Sequence, residues 1–188
     1  MVPSELMRRL IEVLDGRQIR YFVTGSVPTI TYGDPRFTND INVVVELRRD
    51  QVDAFCAAFP APDYYCSRDA AIQAVEERFQ FNVLHMKSGF KIDVIIPEDT
   101  DFNRSRFDRR VRVVGGDAQE ALFASAEDVI LKKLDYYKQG RSEKHISDII
   151  GVLKLRAEKL DRKYIERWAE RLQLADIWHD IVIRADKS

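Results

Sequence analysis

The stretch TGSVPTITYGDPRFTNDINVVVEL (residues 24–47) decides how this sequence folds. It completes an apolar run, IRYFVT, which predicts a strand ending at Gly25 and Ser26. Pro28 suits the first turn of a short helix, and YGDP (residues 32–35) predicts a turn. The β-branched residues of DINVVVEL then predict a second strand. The stretch therefore predicts a strand, a glycine–serine turn, a short helix and another strand, in that order.

The second strand begins with polar side chains. Side chains at positions i and i+2 of a strand share a face, so Asp40 and Asn42 project together. Asp93 in KIDVII is a lone carboxylate in an apolar strand, where an ionised group needs a cationic partner or a metal. If the two strands are neighbours, three oxygen ligands suited to Mg²⁺ or Mn²⁺ converge. The alternatives are an ion pair of Asp93 with Lys91 or an arginine, and capping of backbone N–H groups by Asp40.

The remaining segments carry helical and strand signals in a fixed sequence. Apolar spacing predicts helices at residues 4–16, 48–59 and 67–78, and a helix running into a strand at 102–114. FQFNVLHMKSGFKIDVII (79–96) predicts a hairpin. From Ser125 onward the pattern is helical. Strands first and helices last predict an α+β fold rather than a doubly wound sheet, with an α/β core in residues 1–124 and a helical region in 125–188.

Composition excludes several classes of protein. The chain has 188 residues and a net charge of −1, which argues against a uniformly basic nucleic-acid binder. No apolar run approaches the ~18 residues of a membrane span, and the N-terminal segment does not resemble a signal peptide, so we expect a cytoplasmic protein without membrane contact. Cys56 and Cys66 lack metal-site spacing and are expected to be two reduced thiols.

The order of these motifs resembles the nucleotidyltransferase superfamily typified by DNA polymerase β: Gly-Ser after a strand, then Asp-x-Asp (here Asp-x-Asn) on a strand, then a third Asp on another. More narrowly, the Gly-x-Pro-Arg-x-Thr-x-Asp run (33–40) resembles the AbiEii/MenT-type branch, bacterial nucleotidyltransferases that include toxins of toxin–antitoxin pairs. SAEDVILKKL (125–134) and KHISDIIGVL (144–153) are similar to the later motifs of that branch. The resemblance covers residues 21–153 and implies a nucleotidyltransferase-like mixed β-sheet flanked by helices.

The resemblance also implies roles for individual residues. Gly25 and Ser26 would hold the β- and γ-phosphates of a nucleotide. Asp40 and position 42 would bridge two Mg²⁺ ions, while Asp93 would complete the metal site and help to deprotonate the acceptor hydroxyl. Further contacts to the nucleotide would come from the residues at the remaining motif positions, Arg36, Lys133 and Asp148. Arg36 could equally pair with Asp34, and His145 stands where the family usually has an acidic residue before Asp148, which departs from its pattern.

Asn42 opens two functional expectations, because an amide keeps an oxygen ligand but lacks the charge that offsets the repulsion between two metal ions. The first is a metal-dependent enzyme, active or weakened, which transfers NMP from an NTP to a hydroxyl of RNA, such as a tRNA 3′ end, with an antitoxin protein as partner. A protein hydroxyl and a small aminoglycoside-like molecule are the other acceptors that stay open. The second is an inactive relative that binds nucleotide, RNA or protein.

The segment at residues 104–110 carries four arginines that could bind an RNA backbone: Arg104, Arg106, Arg109 and Arg110. Alternatively, they could form a solvated helix face balanced by Asp101 and Asp108.

Overall fold

The computed structural model describes residues 4–32, 40–114 and 120–186 of the chain. Helices in these ranges are α1 (Ser4–Gly16), α2 (Ser26–Tyr32), α3 (Val52–Ala57), α4 (Arg68–Glu77), α5 (Asp101–Asp108), α6 (Ala126–Gly140), α7 (Glu143–Arg156), α8 (Arg162–Arg171) and α9 (Ala175–Asp186). Strands are β1 (Tyr21–Thr24), β2 (Asp40–Val45), β3 (Tyr64–Cys66), β4 (Gln80–His85), β5 (Lys91–Ile95), β6 (Val111–Val114) and β7 (Glu120–Phe123).

The strands form one mixed sheet in the order β3-β4-β5-β2-β1-β7-β6. Two of its pairings are parallel, β2 with β5 and β1 with β7, and the other four are antiparallel. The predicted fold class, an α+β protein with a mixed sheet flanked by helices and a helical C-terminal region, is confirmed.

Alternation along the strands gives the sheet two different faces. Ile41, Val43 and Val45 of β2 enter a large apolar core that includes buried residues of α1, α3 and α4. On the other face, Phe22 of β1 is fully buried and meets the ring of Phe107 from α5 in an edge-on contact, with ring centroids 4.9 Å apart. Helix α5 therefore covers the apolar part of the second face.

The chain divides into two compact units, Met1–Val27 with Phe37–Phe123, and Pro28–Arg36 with Ala124–Ser188. The first unit contains the sheet with its core. The second contains α6–α9, in which Tyr164, Trp168 and Trp178 are buried, as the helical spacing of the tail predicts. The carboxylate of Asp128 is fully buried there and accepts hydrogen bonds from the hydroxyls of Ser125 and Tyr164, each at 2.8 Å.

Two strands and one boundary differ from the sequence prediction. β3 and β7 have only three and four residues, too few for an alternation pattern, and they exist because neighbouring strands supply hydrogen-bond partners. The helix predicted over residues 48–59 begins as a 3₁₀ turn at Arg49–Gln51 and continues as α3. Among the described residues, no helix combines the length and the apolar character needed to cross a bilayer.

Candidate active site in the first unit

Strand register places four polar side chains side by side on one face of the sheet. Thr24 of β1 pairs with Asn42 of β2, and Asn42 pairs in turn with Asp93 of β5. Asp93 also pairs with Asn82 of β4. Positions directly opposite across strands point to the same face. We call these four residues the polar row; it lies beyond the part of the face that carries Phe22, since Phe22 and Thr24 are two positions apart on β1.

Asp40 lies next to the polar row on β2, and it is opposite Lys91 of β5. The amide nitrogen of Asn42 is 3.4 Å from Asp40 Oδ2 and donates a hydrogen bond to it. The structure thus brings together the three predicted site residues on β2 and β5, namely Asp40, Asn42 and Asp93.

Asp93 is almost completely buried, with 6% of its surface exposed, and the ammonium group of Lys91 neutralises it. Lys91 Nζ is 2.9 Å from both carboxylate oxygens of Asp93. With the amide of Asn82 oriented as a donor, its nitrogen is 2.7 Å from Asp93 Oδ1. The ion pair with Lys91, one of the two interpretations open for this carboxylate, is present in the structure, and it gives the buried charge the partner that it requires.

Gly25 turns the chain directly over Asn42. Its φ is +73°, a left-handed conformation that only glycine adopts without strain. A Cβ atom at this position would be 2.8 Å from the amide nitrogen of Asn42. The main chain at Gly25 therefore packs so closely against Asn42 of the polar row that no side chain fits between them. Ser26 follows as the first residue of α2.

The comparisons with known proteins bear on the fold. No protein-family model matches the chain, and no curated protein sequence does. An antigenic nucleotidyltransferase-like protein from Paracoccidioides brasiliensis aligns over 81% of this chain and 77% of its own, at 20% identity and a TM-score of 0.51. The antibiotic-resistance factor ANT(2'')-Ia aligns over 94% of this chain and 95% of its own, at 14% identity and a TM-score of 0.53. This chain has a nucleotidyltransferase fold. The AbiEii/MenT-type branch stays a prediction.

Two further predicted residues contact each other in the second unit. Lys133 of α6 and Asp148 of α7 form an ion pair with Nζ 2.6 Å from Oδ2, and their side chains are only 7% and 9% exposed. The neighbouring Lys132 instead pairs with Asp135 on its own helix. Arg36 lies outside the described residues, as does most of the Gly-x-Pro-Arg-x-Thr-x-Asp run.

The donor set of the site fits one divalent cation better than two. Asp40 and Asp93 are carboxylates, Asn42 contributes a neutral amide, and Lys91 adds a positive charge. Among residues 4–32, 40–114 and 120–186, no group of three or more His, Cys, Asp or Glu side chains is arranged to hold a metal ion. Two divalent ions close together need several anionic ligands to offset their repulsion. This set has only two carboxylates, and the positive charge of Lys91 offsets one of them.

The arginines of residues 104–110 mostly serve the fold. Arg106 is 4% exposed, and its guanidinium lies over the ring of Phe22 at 4.7 Å. Arg110 donates hydrogen bonds to the backbone carbonyls of Phe107 and Tyr21, and burial lowers its pKa. Arg104 is exposed and forms ion pairs with Asp99 and Asp101. Of the two alternatives, RNA contact is therefore wrong for Arg106, because the first unit encloses its side chain, whereas Arg110 is half-buried with donors engaged by backbone carbonyls.

Sequence reasoning did not assign Asn82 and Thr24 to the site and treated Lys91 only as an ion-pair partner. The signal for Lys91 is present, because it stands at i−2 from Asp93 on one strand and so shares its face. Asn82 and Thr24 join the row only through the pairing of β4 with β5 and of β1 with β2, which the sequence does not specify residue by residue.

Proposed function

We propose that this protein is a nucleotidyltransferase, which transfers a nucleoside monophosphate from an NTP to a hydroxyl group and releases pyrophosphate. The observation that carries the proposal is the convergence of Asp40, Asn42 and Asp93 beside the left-handed turn at Gly25, on a nucleotidyltransferase fold. Carboxylates on adjacent strands beside a glycine turn are suited to holding a triphosphate and the atom that attacks it.

Each residue of the site has a role under this proposal. The main chain of Gly25 and the hydroxyl of Ser26 bind the outer phosphates of the NTP. Asp40, Asn42 and Asp93 would hold Mg²⁺ or Mn²⁺, which when bound neutralises charge on the phosphates. Asp93 also accepts the proton of the attacking hydroxyl.

Three further residues belong to the proposal as nucleotide contacts: Arg36, Lys133 and Asp148. Lys133 and Asp148 carry the ion pair described above.

For the acceptor we propose RNA, with a tRNA 3′ end as the first candidate, in a cytoplasmic protein that acts as the toxin of a toxin–antitoxin pair. Arg104 and Arg109 stay as the candidate contacts of RNA, because Arg106 and Arg110 are engaged within the first unit. The likeness to an antibiotic-resistance factor over 94% of this chain favours a second candidate, a small-molecule hydroxyl. The alternative function is an inactive relative that binds nucleotide, RNA or protein.

Label transfer tests the proposal. The protein is incubated with each α-labelled NTP, with Mg²⁺ or Mn²⁺, and with total RNA or a set of hydroxyl-bearing antibiotics. We expect label to appear in one acceptor class and to be lost in Asp40→Asn and Asp93→Asn. Asp69→Asn is the matched control, because the side chain of Asp69 is 97% exposed and lies outside the site. Absence of transfer by the wild-type protein and by Asn42→Asp, with no metal-dependent NTP binding, contradicts an enzyme.

A further inference from the structure

The cation already present at the site is a lysine of the chain itself. Lys91 lies two positions before Asp93 on β5, so both side chains project from the same face of the sheet. Its ammonium group contacts both oxygens of the carboxylate at the same distance, 2.9 Å. A metal ion that used both oxygens of Asp93 would have to displace this group.

Lys91 also lies towards the other carboxylate. The parallel register of β2 and β5 places Lys91 opposite Asp40, one pairing step from the Asn42–Asp93 pair. The ammonium group of Lys91 contacts the carboxylate of Asp93, and Asp40 is the residue opposite Lys91 on the neighbouring strand. A metal ion shared by Asp40 and Asp93 would need the same region between the two strands.

Two features of the site reduce its negative charge. Where the related motif has Asp-x-Asp, this chain has Asp40-x-Asn42 and so lacks one negative charge. Lys91 supplies one positive charge at the third carboxylate. The two features act in the same direction, since each makes a second divalent cation less favourable. The side chain of Lys91 is 42% exposed, so its stem is not locked into the core.

We propose that Lys91 is a positioning residue that occupies one of the two cation positions of the site, so that the chain holds at most one divalent metal ion. This inference rests on the proposed function for the meaning of the site, and it specifies how the site is charged. Lys91 acts through Asp93: it holds the orientation of the buried carboxylate and offsets part of its charge, while a single metal ion is left to Asp40, the oxygen of Asn42 and a remaining lone pair of Asp93. Asn42 and Lys91 together would then define a one-metal form of the site.

The test counts metal ions and does not depend on activity. The full chain is titrated with Mn²⁺ alone, and free Mn²⁺ is measured by its electron paramagnetic resonance signal. We expect the wild-type protein to bind no more than one Mn²⁺ per chain. Lys91→Gln should bind Mn²⁺ at least about 10-fold more tightly, because the variant removes a positive charge that repels the metal ion from Asp93. The double variant Asn42→Asp/Lys91→Gln should bind two.

Controls separate a charge effect from a folding effect. Lys91→Arg keeps a cation that can grip both oxygens of Asp93 and should behave like the wild-type protein. Asp69→Asn should leave Mn²⁺ binding unchanged. The wild-type count is informative even if a variant unfolds: two Mn²⁺ ions of similar affinity in the wild-type protein overturn the inference, and so does a folded Asn42→Asp/Lys91→Gln variant that binds fewer than two.

Failure here is distinguishable from failure of the proposed function. Label transfer by a wild-type protein that binds two Mn²⁺ ions would leave the nucleotidyltransferase proposal intact and remove the role of Lys91. Conversely, the expected Mn²⁺ counts without transfer to any acceptor would support Lys91 and count against the enzyme.

Discussion

The buried ion pair of the second unit makes the sharpest prediction about stability. Lys133 and Asp148 are 7% and 9% exposed, so Asp148→Asn removes a negative charge that lies 2.6 Å from a buried ammonium group. Loss of one member of a buried pair typically lowers the free energy of unfolding by about 3–5 kcal/mol. For a chain of this size that corresponds to a fall of roughly 6–20 °C in Tm, at about 2–4 °C per kcal/mol.

A matched control lies one residue away. Lys132 and Asp135 form an ion pair with the same 2.6 Å separation, but their side chains are 26% and 31% exposed. Solvent screens such a pair, so Asp135→Asn should lower stability by no more than about 1 kcal/mol.

Thermal and urea unfolding, followed by circular dichroism at helix wavelengths, give both values. A third variant, Lys133→Met/Asp148→Leu, should recover most of the loss, because an apolar pair of similar volume removes the desolvation penalty along with the attraction. Equal losses in Asp148→Asn and Asp135→Asn would refute the reasoning, since burial would then make no difference to pairs of equal length.

Two more predictions concern the first unit. Gly25→Ala and Gly89→Ala both place alanine at a positive φ, +73° and +71°, which should cost each variant about 1–2 kcal/mol of stability in urea unfolding. Gly25→Ala should lose more than Gly89→Ala, because only its Cβ would meet Asn42, and it alone should abolish NTP binding measured by calorimetry. Equal NTP binding by both variants would contradict the close approach. The thiol of Cys66 donates a hydrogen bond to the sulfur of Cys56 at 3.2 Å, which lowers the pKa of Cys56 and raises that of Cys66. Alkylation by iodoacetamide, measured by mass spectrometry across pH, should therefore modify Cys56 at a lower pH than an ordinary thiol. Cys66→Ala should shift that pH upward. A pH profile that is unchanged in Cys66→Ala would show that the hydrogen bond does not cause the lowered pKa of Cys56.

Local signals account for the parts of the fold that the sequence predicted well. The strand–turn–helix–strand order around Gly25, the hairpin before Pro97 and the helices after Ser125 all depend on residues close together in the chain. Caps illustrate the point: Ser67, Thr100 and Ser125 each accept a hydrogen bond from a backbone N–H three residues ahead, as N-cap residues do.

Features that depend on residues distant in sequence were not predicted, because their neighbours in the fold determine them. β7 has four residues, and it becomes a strand because β1 and β6 border it. The arginines of α5 look alike in sequence, yet Arg106 is enclosed while Arg104 is exposed, because Phe22 and Phe102 stack on the former. Propensity and composition describe one residue at a time, whereas burial depends on which strand lies beneath it.

The candidate site shows both kinds of information. The residue types and their i, i+2 spacing were set by the sequence: Asp40 with Asn42, Lys91 with Asp93. That β2 and β5 lie parallel, with Asn42 opposite Asp93 and Lys91 opposite Asp40, was decided by the tertiary structure. Sheet register has this power because a slip of one residue turns every side chain of a strand to the opposite face, and the apolar core on the far side, around Ile41 in this chain, selects the register that buries it.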